Sequence, residues 1–131
     1  MVAKVEIDSS LKKKTILIVE DDQTSFELLE TLLNSTTANI IWVKDGRTSV
    51  EHCNDNTNID LVLMDINLPI LNGHDATREI KKFRPKLPII AQTAFALPDG
   101  KEEAFDAGCD DFITKPIKEK LLMEVIDKWL T

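Results

Sequence analysis

Five short runs rich in Ile, Leu and Val punctuate this 131-residue chain, and each is followed by residues at helical spacing. Apolar runs without polar alternation are strands buried on both faces, as in a parallel sheet covered by helices. Polar residues stand where these runs stop: Glu20 and Asp21 after the first, Asp65 after the third, Thr93 after the fourth and Lys115 after the fifth. Parallel strands all point one way, so their C-terminal ends converge along one edge. Open α/β sheets bind ligands at that edge. Three carboxylates, a hydroxyl and an ammonium gathered there suit a divalent cation and a phosphoryl group.

A chain of this length forms one domain with a substantial core. Its apolar fraction of 43% and charged fraction of 30% are those of an ordinary soluble globular protein. Lys and Arg number 16 against 23 Asp and Glu, a net charge of −7, and the pI is about 4.8. Such a balance argues against nucleic acid as a partner, because phosphates dominate those contacts. No apolar stretch approaches the roughly 20 residues that span a bilayer. The opening residues lack the apolar segment of a signal peptide, so no membrane association and a cytoplasmic location are expected.

Cys53 and Cys109 form no CxxC pair and have no His at zinc-ligand spacing; both are expected as small buried hydrophobes rather than a disulfide. His52 and His74 lie in helical segments without a partner pattern and are expected at the surface.

Residues 1–13 alternate weakly and read as a loosely held N-terminal extension before a folded domain over 14–131. Strands are expected over 15–20, 39–43, 59–64, 87–91 and 110–114. The first helix should run over 24–35, carrying Phe26, Leu29, Leu32 and Leu33. Asp45 should cap a second that reaches about residue 54. Pro69 and Gly73 mark a shaped loop, and the helix after it should stop before Pro85. A fourth helix should open at Pro98 and end at Gly108 in a left-handed stop. The last carries Leu121, Leu122, Val125, Ile126, Trp129 and Leu130. Strict alternation implies right-handed crossovers with helices on both sheet faces. The fold class is therefore α/β: a doubly wound five-stranded parallel sheet of order 2-1-3-4-5, a flavodoxin-like three-layer sandwich. Its switch point lies between the strands that end at Glu20–Asp21 and at Asp65.

Carboxylates crowded at one point raise one another's pKa unless a cation joins them. Mg²⁺ suits such a site, since it takes one or two carboxylates, keeps several waters and accepts phosphate oxygens. Strand-end acids also cap helices, and Asp22 fits that role better than a ligand's. Lys115 precedes Pro116, a bond at which a cis peptide is accessible and would aim the lysine into the pocket.

In these motifs the chain resembles the response-regulator receiver domains, the phosphoacceptor half of two-component signalling, over residues 15–130. Residues 16–22, IleLeuIleValGluAspAsp, resemble the family's acidic pocket motif. Residues 61–73 resemble the segment around the phosphorylated aspartate, 91–96 the segment with the switch threonine, and 110–117 the segment with the lysine and its proline. The wording is most similar to receivers of hybrid sensor kinases. The resemblance implies that Asp65 is phosphorylated, that Asp21 binds Mg²⁺ directly and Glu20 mostly through water, and that Asn67 lends its backbone carbonyl. Lys115 would pair with one phosphoryl oxygen and Thr93 donate to another, with the Ala94 N–H nearby. Thr93 and Phe112 would form the switch, Phe112 standing where the family often has tyrosine. Asn67 and Phe95 would gate the water that removes the phosphoryl group. The partners implied are a histidine kinase or histidine phosphotransfer protein, and a downstream target on the surface of helix four, strand five and helix five. Such a domain catalyses its own phosphorylation and dephosphorylation, without a separate output enzyme. It occurs as a stand-alone regulator or within a hybrid kinase, and both forms fit this sequence.

Three other readings fit less well. A haloacid-dehalogenase-type phosphatase should carry DxD on strand one, where this chain has GluAspAspGln. A flavodoxin-like nucleotide binder should carry a glycine-rich phosphate loop, and only four glycines are present. A receiver that binds partners without phosphorylation would not need the full set of pocket residues.

Overall fold

The structure, a computed structural model, describes residues 14–56, 58–94 and 98–130. The N-terminal extension over 1–13 and the gate residue Phe95 lie outside the described residues.

Strands β1 (Thr15–Val19), β2 (Asn39–Val43), β3 (Leu61–Asp65), β4 (Ile89–Thr93) and β5 (Asp111–Thr114) alternate with five helices. These are α1 (Gln23–Leu33), α2 (Gly46–Asp55), α3 (Gly73–Phe83), α4 (Pro98–Ala107) and α5 (Glu119–Leu130). Every strand pair is parallel and the order is β2-β1-β3-β4-β5, as expected. Among the described residues no helix is long and apolar enough to cross a membrane.

The pleat divides the core in two. Leu17, Val19, Val62, Met64, Ile89 and Ala91 point to one face, packing with Val50 and Cys53 of α2, Ala76 and Ile80 of α3, and Ala104 of α4. The alternate residues Ile16, Ile18, Leu61, Leu63, Ile90 and Ile113 meet Phe26, Leu29 and Leu33 of α1 and Leu122 and Ile126 of α5. Burying each large side chain contributes about 1.5–3 kcal/mol, which is why the doubly covered strands need no polar alternation. Cys53 and Cys109 are free, buried thiols, and burial pushes both up to about 11.

Local signals set the helix ends. The Asp45 carboxylate accepts from the Thr48 N–H at 2.7 Å, and Asn72 Oδ1 from the Asp75 N–H at 2.9 Å. Gly108 ends α4 at φ 109, where a Cβ would be strained.

The third strand begins at Leu61 rather than at residue 59, and two further expectations need correction. The fourth strand begins at Ile89, two residues later than its apolar run. Pro88 has no N–H to enter the ladder, although its carbonyl accepts from the Val62 N–H at 2.9 Å. His74 is not a surface group: its imidazole is largely covered between α3 and α4, its Nε2 lies 3.7 Å from a Glu103 carboxylate oxygen, and its buried Nδ1 has no hydrogen-bond partner among the described residues. A single His in a helical pattern does not reveal which neighbouring helix will cover it.

Candidate functional site

The turn after β1 is tied in place before any ligand is considered. The Glu20 N–H donates to the Val43 carbonyl at 3.1 Å, and the Trp42 indole N–H donates to the Glu20 carbonyl at 2.7 Å. Trp42 is itself stacked on Phe26 of α1 at 4.0 Å between ring centroids. These contacts turn the Glu20 side chain inward, to 1% exposure, while Asp21 stands exposed beside it. The next residue, Asp22, accepts from the Ser25 N–H at 2.9 Å and the Ser25 hydroxyl at 2.8 Å. It is the cap of α1, as expected, and those bonds hold its pKa below the usual carboxylate range.

Asp65 ends β3 at 5% exposure, and the Asn67 N–H donates to its Oδ1 at 3.2 Å. Carboxylate oxygens of Glu20, Asp21 and Asp65 all lie within 4.8 Å of one another. The Lys115 ammonium, arriving from the end of β5, lies 3.2 Å from Glu20 Oε1 and 3.5 Å from Asp65 Oδ2. Its peptide bond to Pro116 is cis. The Lys115 N–H donates to the Thr93 carbonyl at 2.8 Å, binding the end of β5 to that of β4.

The electrostatics follow from this crowding. Burial, then the hydrogen bond and charge of Asp65, push the Glu20 carboxyl up to about 7, against the opposing pull of Lys115 and the Asp22 N–H. Burial works against the Lys115 ammonium, yet the Asp65 and Glu20 carboxylates outweigh it and hold its pKa above the usual lysine value. One lysine thus stands among three carboxylates, a donor set short of positive charge. Hard oxygen donors in this number fit a divalent cation of the Mg²⁺ kind, and the residues present suit it.

The structure therefore brings together Glu20, Asp21, Asp65 and Lys115, with Asn67 held by its N–H. Thr93 is buried at the end of β4 and Ala94 follows it, exposed. Phe112 lies apart, on the sheet face covered by α2, α3 and α4. It pairs in register with Ala91, so Thr93 is two residues further along the same face. Its ring meets the edge of Phe105 at 6.1 Å, and the Lys101 ammonium lies 5.5 Å from its centroid. Sequence reasoning passed over Gln92, whose fully buried amide sits in the strand between these groups, and the Phe26–Trp42 stack. The signal for Gln92 was available: any polar residue inside a doubly covered strand must be buried.

A family model for the response regulator receiver domain matches residues 16–127. The chain is 37% identical to part of hybrid signal transduction histidine kinase I of Dictyostelium discoideum, covering 94% of this chain and 8% of that protein. It is 34% identical to part of the sensor protein GacS of Pseudomonas syringae pv. syringae, covering 92% of this chain and 14% of that one. The chain thus spans a small part of these curated relatives. Among solved structures, it superposes on the receiver domain of sensor histidine kinase PA1611 from Pseudomonas aeruginosa with a TM-score of 0.82 and 35% identity, over 89% of this chain and 97% of that one. That structure holds a magnesium ion in its active site cleft. The Ssk1 receiver domain of Saccharomyces cerevisiae, crystallised with the histidine phosphotransfer protein Ypd1, matches with a TM-score of 0.84 and 27% identity, over 91% of this chain and 90% of that one.

Proposed function

Since the chain belongs to the response regulator receiver family, we propose that Asp65 is its phosphoacceptor, taking a phosphoryl group from a protein phosphohistidine. The observation that carries the reading is the Lys115 ammonium set between Glu20 Oε1 and Asp65 Oδ2, at 3.2 and 3.5 Å. A buried carboxylate beside a fixed cation is placed to act as a nucleophile and to have its product charge neutralised.

An Asp65 carboxylate oxygen attacks phosphorus in line. The new P–O bond forms as the P–N bond to the imidazole breaks, and the imidazole nitrogen keeps that electron pair. The acyl phosphate asks little covalent chemistry of the protein, so rate comes from positioning and charge. The Asn67 N–H on Oδ1 holds the nucleophile's second oxygen. Lys115 pairs with one phosphoryl oxygen, and Thr93 with the Ala94 N–H serves another. Glu20, Asp21, Asp65 and the Asn67 carbonyl would hold Mg²⁺, which when bound neutralises charge on the entering phosphoryl group. Movement of Thr93 toward that group frees space on the face it shares with Phe112. The α4-β5-α5 surface, where Phe105 and Lys101 touch Phe112, then changes its population of states for a downstream target. The chain acts as a signalling switch rather than as an enzyme on a separate substrate.

Trapping tests the assignment. Borohydride reduces an acyl phosphate to the alcohol, so after treatment with acetyl phosphate and Mg²⁺ peptide mapping should find homoserine at position 65. Homoserine at another position and none at Asp65 would reject it.

A further inference from the structure

Trp42 stands in the edge strand β2, in register with Ile18 on the face covered by α1 and α5. Its ring lies flat on Phe26 at 4.0 Å, and the Lys44 ammonium is 4.9 Å from its centroid. A ring held in this way has one polar atom to place, and a half-buried indole N–H takes an acceptor. The acceptor is the Glu20 carbonyl at 2.7 Å, 22 residues earlier in the chain.

That carbonyl belongs to the peptide joining Glu20 to Asp21. A peptide unit is planar, so fixing its carbonyl also fixes the Asp21 N–H and the bond to the Asp21 Cα. The residues on either side are tied by other bonds. The Glu20 N–H donates to the Val43 carbonyl at 3.1 Å, and the Asp22 N–H to Glu20 Oε2 at 3.2 Å. The Asp22 carboxylate is committed to Ser25 and the start of α1. Asp21 stands exposed between them, and among the described residues nothing donates to its carboxylate. Its direction comes from the backbone alone.

We propose that Trp42 is a positioning residue for the metal site: through the Glu20 carbonyl it sets the direction in which Asp21 presents its carboxylate to Mg²⁺. This rests on the reading of Glu20, Asp21 and Asp65 as Mg²⁺ ligands. Mg²⁺ demands near-ideal octahedral geometry at short oxygen distances, so a misdirected carboxylate lowers its affinity. The ring and the N–H then have separate duties. The ring packs α1 against the edge of the sheet, and the N–H aims a ligand.

Two variants separate these duties. Trp42→Phe keeps an aromatic face over Phe26 and removes the N–H; the site is half-buried, so water can take the vacated place and the fold holds. Phe26→Leu thins the stack and keeps the N–H. Calorimetric titration should show Mg²⁺ binding about fivefold weaker in Trp42→Phe. Phe26→Leu should bind Mg²⁺ as wild type does while unfolding at lower urea. Labelling of Trp42→Phe by acetyl phosphate should slow at limiting Mg²⁺ and regain the wild-type rate at saturating Mg²⁺. In wild type, Mg²⁺ should move the Trp42 indole N–H resonance with the same midpoint as the Asp21 amide. The Trp129 indole, which donates to Asp111 Oδ2 at 3.0 Å, should stay in place. Four results would overturn the proposal: unchanged Mg²⁺ affinity in Trp42→Phe, an equal loss in Phe26→Leu, slow labelling that saturating Mg²⁺ does not restore, or a Trp42 indole unmoved by Mg²⁺. Absence of Mg²⁺ binding by wild type would instead reject the ligand assignment, and this proposal with it.

Discussion

Gly73 approaches Asp65 so closely that a Cβ on it would lie 2.1 Å from the Asp65 carbonyl oxygen. The start of α3 is thereby pressed against the backbone that carries the nucleophile, and the Gly73 N–H donates to the Ile66 carbonyl at 2.9 Å. No flexible side chain is there to yield. Gly73→Ala should cost about 1–3 kcal/mol in urea unfolding, as overpacking does, and should slow labelling of Asp65 by acetyl phosphate because the carboxylate is displaced. An unchanged midpoint with unchanged labelling would show that the loop absorbs the methyl group.

The metal arrangement distinguishes neighbours in the acidic run. Asp21 shares the carboxylate cluster, whereas Asp22 is committed to the cap of α1. Asp21→Ala should abolish Mg²⁺-dependent changes in Trp fluorescence or in amide signals around Glu20 and Asp65. Asp22→Ala should keep them while losing about 1 kcal/mol of stability with the cap. The opposite ranking would shift the ligand assignment by one residue.

Ile70 sits at φ 70, and the Leu71 N–H donates to the Pro69 carbonyl at 2.7 Å across it, the pattern of a strained γ-turn. A β-branched residue is poorly suited to that backbone, and at 81% exposure its side chain contributes little by burial. Ile70→Gly should therefore raise stability by about 1 kcal/mol, since glycine takes positive φ without a Cβ clash. Chemical denaturation reads this directly, and a drop in stability would mean that the exposed Ile makes contacts worth more than the strain.

His74 supplies a pH dependence with a definite sign. Burial first, opposed by Glu103 and then aided by Arg78, holds its imidazole below the ordinary value of 6.5; Asp75 opposes the shift as well. The folded state thus favours the neutral ring, and the unfolded chain takes up the proton first as pH falls. Its contribution is present above pH 6.5 and lost as pH drops through that value toward the lower folded one. Glu20, pushed up to about 7, takes its proton first in the folded state and acts with the opposite sign over the same range, so His74 is read by difference: the urea midpoint of wild type relative to that of His74→Gln should fall between about pH 7.5 and 5.5. Equal slopes in the two proteins would assign the dependence to other groups.

β1, β3 and β4 were legible because both sheet faces are covered there, so each is a nearly unbroken apolar run and the polar residue at its end marks the site edge. The spacing also revealed Asp22 and Asp45 as caps and Gly108 as a helix stop, since those roles depend on local chain geometry. What escaped depends on neighbours distant in sequence. Leu87 is as buried as a strand residue although Pro88 delays the strand. Asp110, expected as the first residue of the fifth strand, lies just before it and accepts from both the Ile89 N–H and the Lys81 ammonium. The burial of Gln92 follows from its place in a doubly covered strand, but that its amide finds no hydrogen-bond partner among the described residues does not.

Intact-mass measurement of wild type and Asp65→Asn after incubation with acetyl phosphate and Mg²⁺ tests the central claim most directly. The account predicts one added phosphoryl group on wild type, lost when Mg²⁺ is chelated beforehand, and none on Asp65→Asn. Equal phosphorylation of the two proteins would contradict it and place the acceptor elsewhere in the chain.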